Sequence, residues 1–379
     1  MATLTRGLVR RRHEVTVCTT DACDASSRLP GGPHGIARFG AWPPRHTSDG
    51  IDLRVFPNLS NVLAYHLQFF VPLALGSYLT RHANDFDVAH LHAYRNVPGA
   101  IAASRLRRAG VPYVLAPNGT APLIERRVAA KRLFDAIEGR RVLDGASRVL
   151  AVSTAEERDL RSLGVPTGSI RRVPNPMDLD ELTPPPERGR FRHRLGIEGP
   201  MVLFLGKLTA RKRVDDLARA FARLDRRDAR LVIAGNDMGA GAALRSLVRS
   251  LGIEPRTVFT GLLRGNERLE ALADADVVVY PSEHEIFGLV ALESILCGTP
   301  VIVSGDSGCG EIVRGAGGGE VIAVRDVAAL TAAIARMLAD QRRWRAAAVA
   351  AGPHVRATYG ADAVCEQIER VYGELVASA

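Results

Sequence analysis

Short apolar runs rich in β-branched residues alternate with amphipathic stretches through most of the 379-residue chain. This alternation is typical of βαβ units and a parallel sheet. It predicts strands at 14–19, 87–92, 112–117, 148–153, 201–206, 230–235, 258–261, 277–282 and 300–305. It predicts helices at 3–12, 97–109, 122–143, 154–163, 212–224, 241–251, 266–273, 288–297, 326–340 and 361–377. The expected fold class is therefore α/β with parallel sheets.

The chain is too long for one ordinary core and suits two domains. The alternation breaks at 176–200 into the proline-rich, charged stretch PMDLDELTPPPERGRFRHRLGIEGP. Domain linkers have this composition. We predict an N-terminal domain at 1–180, a linker at 181–199, and a C-terminal domain at 200–360. A final helix at 361–379 is expected to pack back on the N-terminal domain.

The formal charge of +9 permits an anionic partner: nucleic acid, an acidic membrane surface or a phosphorylated small molecule. Aromatic residues make up only 5% of the chain, which leaves few stacking platforms for nucleic acid. Five scattered cysteines lack paired ligand spacing, so neither a disulfide framework nor a zinc site is indicated. With no apolar signal core and no run of about 20 uncharged apolar residues, a cytoplasmic location is expected.

Four glycine-bearing loops follow predicted strands of the second domain, at 205–213, 235–241, 281–288 and 304–311. Open α/β sheets bind ligands at the carboxyl ends of their strands, where the next helix presents free amides to anions. The four loops therefore lie on one edge of the predicted sheet, and this edge is the expected ligand site.

The loop at 281–288 leads into an apolar helix that has a glutamate at each end of the run, Glu285 and Glu293. Gly288 lets the backbone approach a ligand closely, so the amides of Gly288 and Leu289 are candidate phosphate donors. Carboxylates beside a phosphate are favourable where they accept hydrogen bonds from hydroxyls, which sugars supply. The alternative is one acid that favours the helix dipole and one surface acid.

Lysine is rare in this chain and occurs only at Lys131, Lys207 and Lys212. Two of the three follow the strand that ends at Gly206, on the same edge as the glutamates. Compact ammonium groups there suit a diphosphate. The alternative is a solvated basic loop before a helix.

Several segments in one order resemble the nucleotide-sugar-binding domain of the retaining glycosyltransferases of family 4. The matching residues within 201–313 are Gly206, Lys207 and Lys212 in GKLTARK, Pro281 and Ser282, the E-x7-E pair Glu285 and Glu293, Gly298-Thr299-Pro300, and Gly310-Glu311. The resemblance continues upstream through DVAHLHAYRNVPGA, VLAPNGTAP, AVSTAEERDL and RRVPNPMDLDEL, and covers most of the chain. It implies the GT-B fold, in which two Rossmann-like doubly wound parallel-sheet domains face a cleft.

The resemblance also implies roles for the residues on this edge. Glu285 lies by the donor sugar, Glu293 holds the ribose hydroxyls, and the backbone from Phe287 through Gly288 to Leu289 binds the diphosphate. Lys207 and Lys212 neutralise the departing nucleoside diphosphate, which is electrostatic catalysis. Backbone contacts near Leu262 read the base, and transfer proceeds with retention by front-face displacement without a covalent enzyme intermediate.

No metal or other cofactor is expected. Two Asp-x-Asp sequences, at 85–87 and 274–276, could hold a metal in a sugar-nucleotide enzyme. Both immediately precede predicted strands and so lie at the opposite end of the sheet from the ligand. We interpret them as turn and helix-end residues, and the lysines make a metal unnecessary.

This sequence departs from the family pattern at several positions. Lys207 replaces the usual arginine, which keeps the charge but loses bidentate geometry. Asn118 replaces a histidine close to the donor sugar; an amide cannot do proton chemistry, although Asn118 and Gly119 can line the sugar pocket. His92 closes a strand of the first domain and either faces the cleft or packs in the core.

The start of the sequence differs most from the pattern. Family members open with a strand and a glycine-rich loop, whereas this sequence opens inside the following helix, at MATLTRGLVRRRHEVTV. The first strand is central in a doubly wound sheet, so its loss leaves a gap between neighbours. The resemblance thus implies a reading frame that starts about 20 or more residues upstream.

The resulting prediction is an enzyme that moves a sugar from a UDP- or GDP-linked donor to a glycan, a lipid carrier or a small molecule. A GT-B sugar-nucleotide epimerase or sugar-phosphate synthase is the alternative, followed by a basic module that binds membrane or nucleic acid. The arginine-rich amphipathic segment at 122–145 suits an anionic membrane surface. Its alternative is a surface helix with a solvated basic face.

Overall fold

The computed structural model of the protein describes residues 1–23, 28, 45–67, 69–123, 128–183 and 186–377. Up to residue 176 its elements are α1 (Ala2–Arg10), β1 (Thr16–Thr20), β2 (Arg45–Ser48), β3 (Ile51–Phe56), α2 (Asn61–Leu67), α3 (Leu75–His82), β4 (Ala89–His92), α4 (Val97–Ala109), β5 (Tyr113–Ala116), α5 (Val128–Phe134), α6 (Arg140–Asp144), β6 (Arg148–Ala151), α7 (Thr154–Ser162) and β7 (Ile170–Arg172). A π-helical turn at Asp135–Gly139 joins α5 to α6.

The later elements are α8 (Arg190–Leu195), β8 (Met201–Leu205), α9 (Val214–Ala222), β9 (Arg230–Ala234), α10 (Gly241–Ser250), β10 (Thr257–Gly261), α11 (Gly265–Asp274), β11 (Val277–Tyr280), α12 (Leu289–Leu296), β12 (Val301–Ser304), α13 (Gly308–Ala316), β13 (Gly319–Ile322), α14 (Val327–Ala339), α15 (Gln341–Tyr359) and α16 (Ala361–Val376). Within the described residues, no helix combines the length and apolar character that crossing a bilayer requires.

Residue contacts divide the chain into two compact units. Unit 1 comprises Met1–Val152, Glu156–Pro176 and Ala361–Ala379, and unit 2 comprises Ser153–Ala155 and Met177–Gly360. The predicted linker at 181–199 lies within unit 2, where part of it forms α8. The C-terminal helix α16 belongs to unit 1.

Unit 2 is built on one six-stranded sheet with the order β10-β9-β8-β11-β12-β13, in which all pairs are parallel. This is the doubly wound order, with β8 as the first strand and the crossover point between β8 and β11. Every residue of β8, β11 and β12 is buried, which explains why these strands appear in the sequence as continuous apolar runs. The α/β prediction is confirmed.

Unit 1 contains two sheets. In one, β3 pairs parallel to β1 and antiparallel to β2; the other is a parallel sheet with the order β4-β5-β6-β7. The strands β1 and β4, which the expected doubly wound order places on either side of a first strand, lie in different sheets.

Helix α16 packs against α1 in unit 1. Leu4 and Leu8 of α1 share one buried cluster with Val364 and Ile368 of α16. The Nε and Nη2 atoms of Arg11, just after α1, donate to both carboxylate oxygens of Glu369 at 2.8 and 2.6 Å. The last helix therefore completes the core of the first unit.

All nine predicted strands are present, within a few residues of the predicted bounds. The elements that the pattern did not predict are β2, β3, β7, β13, α2, α3, α8, α13 and α15. The predicted helix at 122–143 begins in the described residues at Val128, and positions 124–127 lie outside them.

Candidate active site

The carboxyl ends of β8, β11 and β12 are adjacent in the sheet of unit 2. The loops that follow them carry most of the predicted site residues. Lys212 lies in a 3₁₀ turn at Ala210–Lys212, Glu285 lies between β11 and α12, and Gly308 begins α13 after β12. The prediction that these loops share one edge of the sheet is confirmed.

Lys212 and Glu285 form an ion pair at this edge. The lysine is only 9% exposed, and its ammonium group also donates to the hydroxyl of Tyr280. That hydroxyl donates in turn to Oε2 of Glu285 at 3.1 Å, and the Lys212 ammonium lies 4.4 Å from the centre of the Tyr280 ring. Burial and the Glu285 charge raise the pKa of Tyr280 well above its usual range, so the hydroxyl stays a hydrogen-bond donor.

The backbone around Glu285 is fixed by the start of α13. Its carbonyl oxygen accepts hydrogen bonds from the Cys309 amide and the Ser307 hydroxyl, both at 2.8 Å. Gly288 has φ +77°, and a Cβ atom there would overlap the Cys309 sulfur and lie 3.0 Å from its Cβ. Only glycine fits this position without strain.

Gly288 is the N-cap of α12, and no side chain of the described residues caps this helix end. The first amides of α12 therefore lack a side-chain acceptor, which is the arrangement that favours an anion. Leu289 is 41% exposed at this point. Phe287 is buried, and its ring packs edge-on against Tyr359 with centroids 5.7 Å apart.

Glu293 lies farther along α12 and is paired with Arg268 of α11, Nη1 to Oε2, at 2.5 Å. Arg268 also pairs with Glu181 at 2.9 Å. Burial raises the pKa of Glu293, while the charge of Arg268 and its hydrogen bond to the carboxylate oppose that shift. The two glutamates of the E-x7-E pair thus each have a basic partner, one a lysine and the other an arginine.

Lys207 and Leu262, two other predicted site residues, are exposed. Among the described residues Lys207 forms no ion pair, in contrast to the buried Lys212 of the same loop. Gly206 links β8 to this loop, and a Cβ atom there would lie 3.3 Å from the Tyr280 ring. The glycine therefore makes room for the tyrosine at the base of the site.

In the loop after β9, the Asp237 carboxylate is bound by amides of the same loop. Asp237 accepts hydrogen bonds from the amides of Gly239 and Gly241 at 2.8 and 2.9 Å, and these bonds lower its pKa. Beside it lies a cavity of about 160 Å³ whose lining includes Arg245 and Phe259. The Arg245 guanidinium lies 4.0 Å from the centre of the Phe259 ring.

Three predicted site residues lie in unit 1. His92 stacks on His90, with ring centroids 4.3 Å apart and planes 11° apart, and burial lowers its pKa to about 4. This geometry matches the packed alternative. Asn118 has φ +51°, and the amide of Gly119 donates to the fully buried Glu156 at 2.6 Å. The loop after β5 is thus anchored by a carboxylate.

The second Asp-x-Asp sequence is structural. Asp274 ends α11 and accepts a hydrogen bond from the Arg192 amide at 2.9 Å, while Asp276 precedes β11 and accepts one from Met201 at 2.7 Å. Asp276 also pairs with the Arg192 side chain. Both carboxylates therefore anchor α8 near the amino end of β11, away from the carboxyl-end loops.

Sequence reasoning missed Tyr280, Arg268 and Glu156. Tyr280 ends a buried strand and was interpreted only as part of it, although a polar group at the carboxyl end of a strand was a usable signal. Arg268 follows β10, as the other site residues follow their strands, but nothing in its spacing indicates Glu293 as its partner. The pattern gave no signal for Glu156, which lies on a polar helix.

Two protein families match this chain: the Glycosyl transferase 4-like domain at residues 1–176 and Glycosyl transferases group 1 at residues 187–352. A D-inositol 3-phosphate glycosyltransferase of Frankia alni is 33% identical over 76% of this chain and 74% of the relative. A D-inositol 3-phosphate glycosyltransferase of Xylanimonas cellulosilytica is 29% identical over 98% of this chain and 89% of the relative. A GDP-mannose-dependent alpha-(1-6)-phosphatidylinositol monomannoside mannosyltransferase of Mycolicibacterium smegmatis is 31% identical over 73% and 74%.

Solved structures match in fold. HepE of Anabaena in complex with UDP-glucose has a TM-score of 0.71 and 20% identity over 86% of this chain and 87% of that chain. A glycosyltransferase of Rickettsia africae has a TM-score of 0.74 and 14% identity over 100% of this chain and 94% of that chain. The arrangement of elements is thus that of the GT-B glycosyltransferases.

Proposed function

The chain belongs to the family 4, group 1 glycosyl transferases and is a sugar-transferring enzyme; from that membership we propose that it uses a UDP- or GDP-linked sugar and retains the anomeric configuration. The observation that carries the proposal is the ion pair between the buried Lys212 and the partly buried Glu285, beside the uncapped start of α12. One group suits a diphosphate and the other suits sugar hydroxyls.

In the proposed complex, Lys212 and Lys207 bind the diphosphate together with the amides of Gly288 and Leu289. Because Lys212 is paired with Glu285, binding of the diphosphate exchanges this partner for a phosphate oxygen. Glu285 then accepts hydrogen bonds from the sugar and keeps the one from Tyr280.

In the proposed reaction, the bond between the anomeric carbon and the diphosphate oxygen breaks as the acceptor hydroxyl attacks from the same face. The acceptor's proton passes to the departing phosphate, and the lysines stabilise its charge. No metal is needed for this charge balance, because two ammonium groups supply it.

Glu293 is the proposed ribose residue and Leu262 lies on the base side. The relatives are named for nucleotide sugars and for inositol-containing acceptors, so an inositol phosphate belongs in an acceptor panel with glycans and lipid-linked sugars. His92, Asn118 and Gly119 are the proposed sugar or acceptor side.

A peripheral position at the cytoplasmic face of the membrane is a second part of the proposal. It is supported by α5 and the turn after it, where Leu133 and Ile137 are more than half exposed beside the basic residues Lys131 and Arg132. Arg126 and Arg127 lie outside the described residues. Liposome flotation tests it: changing these four basic residues to Gln should reduce binding to anionic vesicles, and unchanged binding would contradict this part.

The donor site is tested by thermal stabilisation of the purified chain with UDP-, GDP-, ADP- and dTDP-sugars, repeated with Glu293→Ala and Lys212→Ala. Stabilisation by one nucleotide that both substitutions abolish would support the donor site and identify its base. Stabilisation that survives both substitutions would contradict the assignment. Nuclear magnetic resonance of the product then distinguishes retention from inversion.

A further inference from the structure

We propose that Arg268 is a positioning residue of the donor site, which orients Glu293 and keeps one carboxylate oxygen open to the hydroxyls of a ribose. The inference rests on the proposed function, because it presupposes that Glu293 meets a ribose. Arg268 was not among the predicted site residues, and it contacts Glu293 rather than the reacting atoms.

The geometry leaves half of the carboxylate available. The ion pair joins Nη1 of Arg268 to Oε2 of Glu293 at 2.5 Å, and no other described residue forms an ion pair with Glu293. A carboxylate has about four acceptor positions on its two oxygens. One oxygen held by an arginine therefore still leaves the other free to accept from a sugar hydroxyl.

Arg268 is held in one conformation from two sides. Its Nη1 reaches Glu293, and its Nη2 reaches Glu181 at 2.9 Å. The buried neighbour Leu269 fixes α11 against the core, so the arginine starts from a rigid backbone. A long side chain bound at both donors loses little further freedom when a ligand arrives, which is the advantage of preorganisation.

Electrostatics give the arginine a second effect. Glu293 has a side chain only 18% exposed, and burial raises its pKa. The charged groups around Glu293 are Arg268 on α11 and Glu181 on the Asp180–Leu182 turn. Cys297 on α12 is also near but neutral, because burial and the Glu293 charge raise its pKa to about 12. The charge of Arg356 on α15 acts on Cys297 and opposes that rise. Without Arg268, burial and Glu181 both favour the protonated form of Glu293.

The test measures binding of UDP and GDP by calorimetry between pH 5.5 and 8.0, with the 2′-deoxy analogue of whichever binds. In the native enzyme the affinity should change over this range only as the terminal phosphate of the nucleotide titrates, and the enzyme should prefer the ribonucleotide. Arg268→Gln should weaken binding at the acidic end, by up to tenfold per pH unit below the new pKa of Glu293, and recover as the pH rises. The preference for ribose should shrink in parallel.

Three further variants make the result specific. Arg268→Lys keeps a charge in a folded chain and should retain most of the affinity at every pH. Adding Glu293→Gln to Arg268→Gln should remove the additional pH dependence and leave only that of the nucleotide's terminal phosphate, because no titrating group is left at this position. Glu181→Gln, which removes the charge of the other partner of Arg268 and leaves the pair of Arg268 with Glu293, should reduce the ribose preference less than Arg268→Gln does.

Each other outcome overturns the inference. A loss in Arg268→Gln that is equal at every pH and for both sugars would mean that the arginine only stabilises α11. Native binding by this variant would mean that Glu293 needs no positioning. If the native chain binds neither nucleotide, the proposed function fails with the inference, and this is seen in the native protein before any variant is compared.

Discussion

Lys207 and Lys212 allow a matched test, because they lie in one loop and differ mainly in burial. Lys212 is 9% exposed and paired with Glu285, whereas Lys207 is exposed. Lys212→Met removes the cation and leaves the Glu285 carboxylate with the Tyr280 hydroxyl. Breaking a fully buried pair costs about 3–5 kcal/mol. Since the Glu285 side chain is 19% exposed and keeps one hydrogen bond, we expect a loss of about 2–3 kcal/mol of unfolding free energy.

Lys207→Met is the control for stability, and its cost should stay within about 0.5 kcal/mol. Glu285→Gln in the Lys212→Met background removes the unpaired charge, so the double variant should regain most of the lost stability. The coupling between the two positions should then be about 2 kcal/mol. Both single lysine variants should nevertheless bind a nucleoside diphosphate more weakly than the native chain.

Urea denaturation followed by circular dichroism measures the stability, and calorimetry with UDP and GDP measures the binding. The reasoning is refuted if Lys212→Met costs no more than Lys207→Met, or if the double variant is destabilised by the sum of its single changes. In the first case the pair makes no net contribution to the fold. In the second the two residues act independently.

Three further predictions concern single contacts. Gly288→Ala should destabilise the chain by about 1–2 kcal/mol because the backbone at this position is left-handed, and further because the new Cβ overlaps Cys309. Adding Cys309→Gly should recover only the cost of the overlap, as measured in a thermal melt. Tyr280→Phe should weaken a nucleoside diphosphate more than the intact donor sugar in calorimetry, because only the sugar offers Glu285 a replacement hydrogen bond; equal losses would contradict this. Arg11 lowers the pKa of Glu369 to about 2, below the usual value near 4.5, so their pair stabilises α16 above pH 4.5 and its contribution is lost as the pH falls toward 2. Melts of Glu369→Gln should differ from the native chain at pH 6 and converge with it near pH 2.

The sequence predicts the strands of unit 2 well, for a physical reason. Buried parallel strands such as β8 and β11 are apolar on both faces and stand out from their surroundings. The missed strands have no such contrast: β3 mixes acidic and basic residues with apolar ones, and β13 begins with a glycine and a glutamate. Their strand conformation comes from their neighbours in the sheet.

In the candidate site, too, the sequence predicts some features and not others. The rule that ligands bind after the carboxyl ends of strands predicted that Lys212 and Glu285 share one edge of the sheet, because it depends only on strand order. Periodicity indicates which residues are buried but not which distant residue they contact. Arg268 and Glu293 are on different helices, and their pairing depends on how α11 packs beside α12.

The two ion pairs explain how acidic residues can occupy a site for an anionic ligand. Isolated carboxylates at this depth would repel a diphosphate and would be costly to desolvate. Lys212 neutralises Glu285 and Arg268 neutralises Glu293, but the two pairs behave differently when a donor binds in the proposed complex. In the proposed complex the diphosphate attracts Lys212, so donor binding breaks the pair of Lys212 with Glu285, and Tyr280 remains to hold Glu285. Arg268 has a second carboxylate on its far side, so its pair with Glu293 can persist while a ribose is bound. One pair is therefore exchanged in the proposed reaction cycle, and the other orients the donor.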